Sequence, residues 1–195
     1  MISYIEGDIK ELTPTYIILD CNGIGYLLNI SLTTFSKVES YTDKKIQLFT
    51  HLHIREDAHT LYGFFKKEER KVFRLLLSVS GVGASTSMMI LSSLNSHEIS
   101  QAIALEDINT LKSIKGIGLK SAQRIIIDLK DKIKHIETAV NNISDNHNIK
   151  KKQALSALET LGFSAKQSNK VLDQILAENP DISVEELIKL SLKNF

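Results

Sequence analysis

Apolar and polar positions alternate with a two-residue period over the first third of the chain and follow a helical period after it. Ile46, Leu48, Thr50, Leu52 and Ile54 are interleaved with Gln47, Phe49, His51 and His53, the pattern of a strand with one buried face. Similar runs cover Ile2 to Ile9, Tyr16 to Cys21, Tyr26 to Ile30 and Thr60 to Phe64. Asn22-Gly23 suits the two positive φ angles of a type I′ hairpin turn. Five short strands in residues 1–64 predict a small closed barrel of the five-stranded OB type, with a Greek-key sandwich fragment as the alternative.

Beyond Gly63 the period becomes helical. Val72, Leu75, Leu76 and Val79 lie on one face, and residues 65–138 read as an all-α domain. The stretch TAVNNISDNHNIKK has four asparagines and no sustained apolar stripe, which predicts an exposed linker over 139–150. From Lys151 the helical stripe returns in Ala154, Leu155, Leu158 and Leu161, and Gly162 stands where a left-handed helix cap belongs. Ser164 with Gln167, and Ser183 with Glu186, have capping-box spacing, so helices should begin near Ala165 and Val184, separated by Pro180. The fold class expected is therefore α+β and multidomain: barrel 1–64, central helices 65–138, linker 139–150 and a three-helix domain 151–195. About 45 residues is near the lower limit of independent folding, which points to docking on a partner.

Two stretches of the central domain repeat one another. SVSGVGAST (Ser78 to Thr86) and SIKGIGLKS (Ser113 to Ser121) each carry an apolar run into Gly-x-Gly and then into a helix, and together they use four of the 9 glycines. Val82 or Ile117 can plug the crevice between the two helices while the flanking glycines permit a tight turn and a close backbone approach. Such a turn leaves free amides and the positive dipole end of a helix facing outward, a site for phosphate. It reads a backbone and carries no base-sequence information. A tight helix–helix turn alone explains one such motif; two in register suit a polymer with repeating phosphates.

Charge changes the picture locally. The chain of 195 residues is 43% apolar with a formal net charge of +1, so an electrostatic partner must meet a local patch. Leu111 to His135 supplies one: Lys112, Lys115, Lys120, Arg124, Lys130, Lys132 and Lys134 against Asp128 and Asp131. Lys120 and Arg124, at i and i+4, share a helix face, while Arg124 and Asp128 have the spacing of an ordinary surface pair. The first copy has no Lys or Arg between Gly81 and Leu94 and must rely on amides and on hydroxyls such as Ser85 and Thr86. A single Cys21 excludes an internal disulfide and a Cys-rich zinc site. The opening MISYIEGDIK lacks the basic and apolar regions of an export signal, and the expected location is cytoplasmic.

SGVGAST and KGIGLKSAQRI are similar to helix-hairpin-helix motifs. With the N-terminal barrel, the loop REDAHTLYGF and the separate C-terminal helices, the chain resembles, from Met1 to Phe195, the RuvA family of Holliday-junction-binding subunits. The resemblance implies a homotetramer, singly or as two face to face, that clasps a four-way junction and acts in recombination and DNA repair. It implies DNA contacts at Gly81, Val82, Gly83, Ser85, Gly116, Ile117, Gly118, Lys120 and Arg124, and an acidic pin of Glu56 and Asp57 at the junction centre. It also implies a last domain that recruits the RuvB ATPase motor through Leu161, Gly162 and Phe163, and the RuvC resolvase as a further partner. Two positions depart from the family pattern, which often has Lys where this chain has Ser85 and Leu119.

Other chemistry finds less support. Glu56 and Asp57 lack the second carboxylate cluster that a metal nuclease gathers, and His51 and His53 share a strand face without an evident third ligand. No Gly-x-x-x-x-Gly-Lys-[Ser/Thr] occurs, so an ATPase motor must be a separate protein. A DNA glycosylase would cast Lys120 and Asp128 in catalytic roles, against which stand the 6% aromatic content and the absence of Trp. A general duplex-binding module is the third reading. The expectation is a non-catalytic DNA-binding protein with no cofactor and no metal.

Overall fold

Strands β1 (Tyr4–Leu12), β2 (Tyr16–Cys21), β3 (Ile24–Ile30), β4 (Ile46–Ile54) and β5 (His59–Phe64) form a closed barrel in the order β1-β2-β3-β5-β4. The computed structural model describes residues 2–41, 45–141, 146–179 and 182–195, with 134–141 and 146–149 described by their backbone alone. All pairings are antiparallel except β3 with β5, where Asn29 is opposite Tyr62. Pairing of β1 with β4 closes the barrel and removes the sandwich alternative. Asn22 and Gly23 hold φ of +56° and +89° and turn β2 into β3, as the dipeptide predicts.

One helix was not legible in the alternation. α1 (Leu32–Val38) follows β3, capped by Ser31, whose side chain accepts from the Thr34 amide. Its Val38 is buried with Ile5, Ile17, Leu19, Leu28, Ile30, Ile46 and Leu48, forming the barrel core. The inward alternation of β4 holds from Ile46 to Thr50 and then fails: Ile54 is 63% exposed where the strand leaves the core.

The helices of the central region are α2 (Lys67–Leu77), α3 (Ala84–Ser93), α4 (Ser96–Ala104), α5 (Ile108–Lys112) and α6 (Leu119–Asn141). The chain divides into two compact units, Met1–His135 and Ile136–Phe195. In the first, Phe73 of α2 is fully buried against Phe64 and Tyr62, with ring centroids 5.0 Å away in both cases. Thr33 donates to the Leu91 carbonyl at 2.6 Å, and the Leu32 amide donates to Ser92 Oγ at 3.1 Å, tying α1 to α3. The Glu69 carboxylate, 3% exposed, accepts from Thr34 Oγ1, Lys37 Nζ and the Phe65 amide. Barrel and first hairpin are thereby fixed to each other by both packing and a satisfied buried charge.

The second unit holds α7 (Asn146–Thr160), α8 (Ala165–Glu178) and α9 (Val184–Lys193). The last two start at the residues the capping spacing predicts: Ser164 accepts from the Gln167 amide and Ser183 from the Glu186 amide. Pro180 and residues 142–145 of the expected linker lie outside the described residues, and its flanks, 139–141 and 146–150, are helical. Ala154, Leu158, Val171, Leu172, Ile175, Leu176 and Leu187 make the core.

Candidate nucleic-acid interface

The two Gly-x-Gly segments build the same turn. The Val82 amide donates to the Val79 carbonyl at 3.0 Å and the Ile117 amide to the Ile114 carbonyl at 3.1 Å. Gly81 and Gly116, third in each turn, have φ of +86° and +88°, a conformation that favours glycine. Val82 and Ile117 are both 5% exposed and plug the hairpins as expected. Each turn delivers the chain to a helix whose first bond runs from Ser87 to the Gly83 carbonyl or from Ala122 to the Gly118 carbonyl. The amides before those bonds have no acceptor within the helix, and no side chain caps Gly83. A Cβ added at any of the four glycines meets no atom within 4 Å, so the surface in front of the amides is bare.

Ser85, Lys120 and Arg124 are exposed beside these turns. Among the described residues, no ion pair forms between Arg124 and Asp128 or at Lys120, Lys112 or Lys115, so these cations face solvent uncompensated. Lys130 differs: it pairs with Glu106, whose hydrogen bond and charge raise the ammonium pKa. The side chain of Lys134 lies outside the described residues. Leu119, which opens the apolar period Leu119, Ala122, Ile125, Ile126, Leu129 and Ile133 of α6, is 50% exposed because it is the first residue after the turn; the other five fill the core.

Glu56 and Asp57 form the exposed tip between β4 and β5, closed by the Arg55 amide donating to the Ala58 carbonyl at 2.9 Å. Arg55 Nε lies 3.5 Å from Asp57 Oδ1, with both side chains largely in solvent. Sequence reasoning placed Arg55 beside the pair without assigning it this contact.

In the second unit Gly162 has φ +97°, as a left-handed cap requires. Leu161 is 59% exposed and leaves the stripe to which periodicity assigned it. Phe163 is half-buried and stacks on Phe195 with centroids 4.2 Å apart. Phe195, partly exposed at the C-terminus, was missed by the sequence reading; its stack on Phe163 brings it beside the Gly162 turn, and Leu192 is partly exposed on α9.

Family comparisons follow the same three-part division. Residues 1–63 match the RuvA N terminal domain, residues 73–131 the SAM-like helix-hairpin-helix tandem, and residues 150–194 the RuvA C-terminal domain. The Holliday junction branch migration complex subunit RuvA of Christiangramia forsetii is 50% identical over 193 residues, 99% of each chain. This chain belongs to the RuvA family. RuvA subunits of Flavobacterium psychrophilum and Bacteroides thetaiotaomicron are each 47% identical, covering 100% and 99% of both chains respectively. No helix among the described residues of this RuvA-family chain is long and apolar enough to cross a membrane. No group of three or more His, Cys, Asp or Glu among them is placed to hold a metal ion.

Proposed function

We propose that this chain binds four-way DNA junctions as a non-catalytic subunit, holds them open, and delivers them to a RuvB-type ATPase motor for branch migration in cytoplasmic DNA recombination and repair. The observation that carries the reading is the pair of equivalent turns at Gly81 and Gly116, each with bare amides at a helix start. Two such clamps on one rigid unit grip one duplex arm by its phosphates, and four copies of the chain grip four arms. Relatives matching over the full length carry the name Holliday junction branch migration complex subunit, which supports the same substrate.

The remaining roles belong to this proposal. Glu56 and Asp57 gather at the centre of a homotetramer, alone or paired with a second one, and repel continuous duplex. The 151–195 domain recruits the motor through Leu161, Gly162 and Phe163, extended by Leu192 and Phe195, and a RuvC-type resolvase is a further partner. The deciding experiment is a gel-shift competition between junction and linear duplex, followed by incubation with junction, Mg²⁺ and ATP. Junction preference with both DNA and ATP intact is expected. Equal affinity for duplex, or strand cleavage, base release or ATP hydrolysis by the purified chain, overturns the reading.

A further inference from the structure

A cationic strip lies on the outer face of the barrel. Arg74, in the last turn of α2, donates from Nε to His51 Nδ1 at 3.3 Å, which puts the ring proton of neutral His51 on Nε2. His51 and His53 leave β4 on the same face, with ring centroids 6.3 Å apart. Phe73 supports His51 at 5.4 Å, and Tyr62 of β5 supports His53 at 6.5 Å. His51, His53, Tyr62 and Arg74 are all half-buried, so the rings are held in place while part of each still meets solvent.

The ionisable groups named on this strip are mostly basic side chains. From α2 come Arg74 and Arg70, the latter turned inward to the carbonyls of Ser3 and Thr50. β4 contributes His51 and His53 and leads into Arg55, whose charge also reaches Tyr62. β5 contributes Tyr62, opposite His51, and Thr60, opposite His53. Burial depresses the His51 pKa, and Arg74, His53 and Arg70 lower it further. No ion pair among the described residues involves Arg74. The carboxylates next along the chain are Glu56 and Asp57, and Asp57 is already paired with Arg55. The Arg74 guanidinium, held beside two histidine rings on an aromatic floor and without an ion pair among the described residues, makes an anion site.

Its place in the fold selects the anion. Four residues after Arg74, α2 ends at Ser78 and enters the first phosphate-clamp turn, while two residues after His53 the chain enters the acidic loop. We infer that His51, His53 and Arg74 form an additional phosphodiester-binding site that holds the DNA strand running from the first hairpin toward the acidic loop. The site supplies side-chain charge on the half of the molecule whose hairpin has no Lys or Arg of its own between Gly81 and Leu94. Because an anion favours imidazolium, affinity there rises as pH falls, and His51, depressed by burial and by Arg74, charges only below its ordinary range.

This inference rests on the DNA-binding reading above, and one experiment separates the two. Junction affinity of the full-length chain is measured against salt at several pH values from about 8 to about 5.5, alongside the variants Arg74→Gln and His53→Val. Valine suits a strand, so the second variant keeps the test sound if the first misfolds. Loss of one phosphate contact lowers the log K against log salt slope by about 0.9, about threefold between 50 and 200 mM salt. We expect that loss in Arg74→Gln, and in His53→Val a lower junction affinity than that of the wild type. Histidine ring NMR shifts of His51 and His53 are followed with junction DNA and, separately, with inorganic phosphate; movement with junction DNA is expected. Movement with phosphate alone makes this a small-anion site and overturns the DNA assignment. Wild-type junction binding with unchanged slopes, pH profile and ring shifts in the variants overturns the inference and leaves the proposed function standing. Absence of any junction binding by the wild type overturns the function itself.

Discussion

Gly116 and Gly118 stand two residues apart in the second hairpin and are needed for different reasons. Gly116 holds φ +88°, whereas Gly118 is outside the left-handed region, and a Cβ on either meets no atom within 4 Å. Gly116→Ala should destabilise the fold by about 1–2 kcal/mol in urea unfolding through backbone strain alone. Gly118→Ala should change stability by about 0.5 kcal/mol at most yet weaken junction binding, because its methyl occupies the bare surface a phosphate approaches. Unchanged affinity in Gly118→Ala would argue that no backbone comes close there.

Lys120 and Arg124 are exposed and form no ion pair among the described residues, so each should contribute a sequence-independent phosphate contact. Alanine at either position should lower the salt slope by about 0.9 and reduce affinity about equally across DNA sequences. Ser85→Lys should raise both quantities by adding a cation beside the first turn. If the slope is the same in all three variants, the patch is a solvated face.

The Arg55–Asp57 pair sets opposing expectations on the acidic loop. Glu56→Gln with Asp57→Asn should raise affinity for linear duplex more than for junction, while Arg55→Gln, by freeing a carboxylate, should widen the preference. Both effects should shrink with added salt, since screening acts over about 8 Å at physiological ionic strength. Duplex affinity unchanged at low salt, with the wild-type oligomeric state retained, would make these ordinary loop carboxylates.

Glu69 links β5, α1 and α2 through one buried carboxylate. Glu69→Ala should cost about 3 kcal/mol in chemical unfolding, because it leaves the buried Thr34 hydroxyl and the Phe65 amide without their acceptor. Lys37→Ala should cost less, as Lys37 reaches solvent. Equal midpoints for both variants and the wild type would show that the network is stability-neutral.

Deleting residues 150–195 should leave junction binding nearly unchanged, because the clamps and the acidic loop belong to the first compact unit. Stimulation of a RuvB-type motor should be lost, and Leu161→Ser should reproduce much of that loss without unfolding the domain, since Leu161 lies outside its core. A truncated chain that still supports motor-driven branch migration would exclude this docking surface.

Features governed by neighbours in the chain were legible from the chain itself. The strands, the Asn22-Gly23 hairpin, the starts of α8 and α9 and the two Gly-x-Gly turns all follow from side-chain period, capping hydrogen bonds and the φ preferences of glycine, which act over a few residues. Periodicity went astray where an element ends: Ile54, Leu119 and Leu161 continue an apolar pattern past the point where the core stops.

What the tertiary structure decided depends on groups far apart in sequence. β3 pairs with β5 in parallel across some thirty residues of chain, and Glu69 is satisfied in its burial by Thr34 and Lys37 of α1. The Arg74–His51 contact and the Phe163–Phe195 stack are of the same kind. Local preference fixes which way a helix or strand begins, but the partner of a charge or a ring is chosen by packing, where burial makes an unmet polar group too costly to leave.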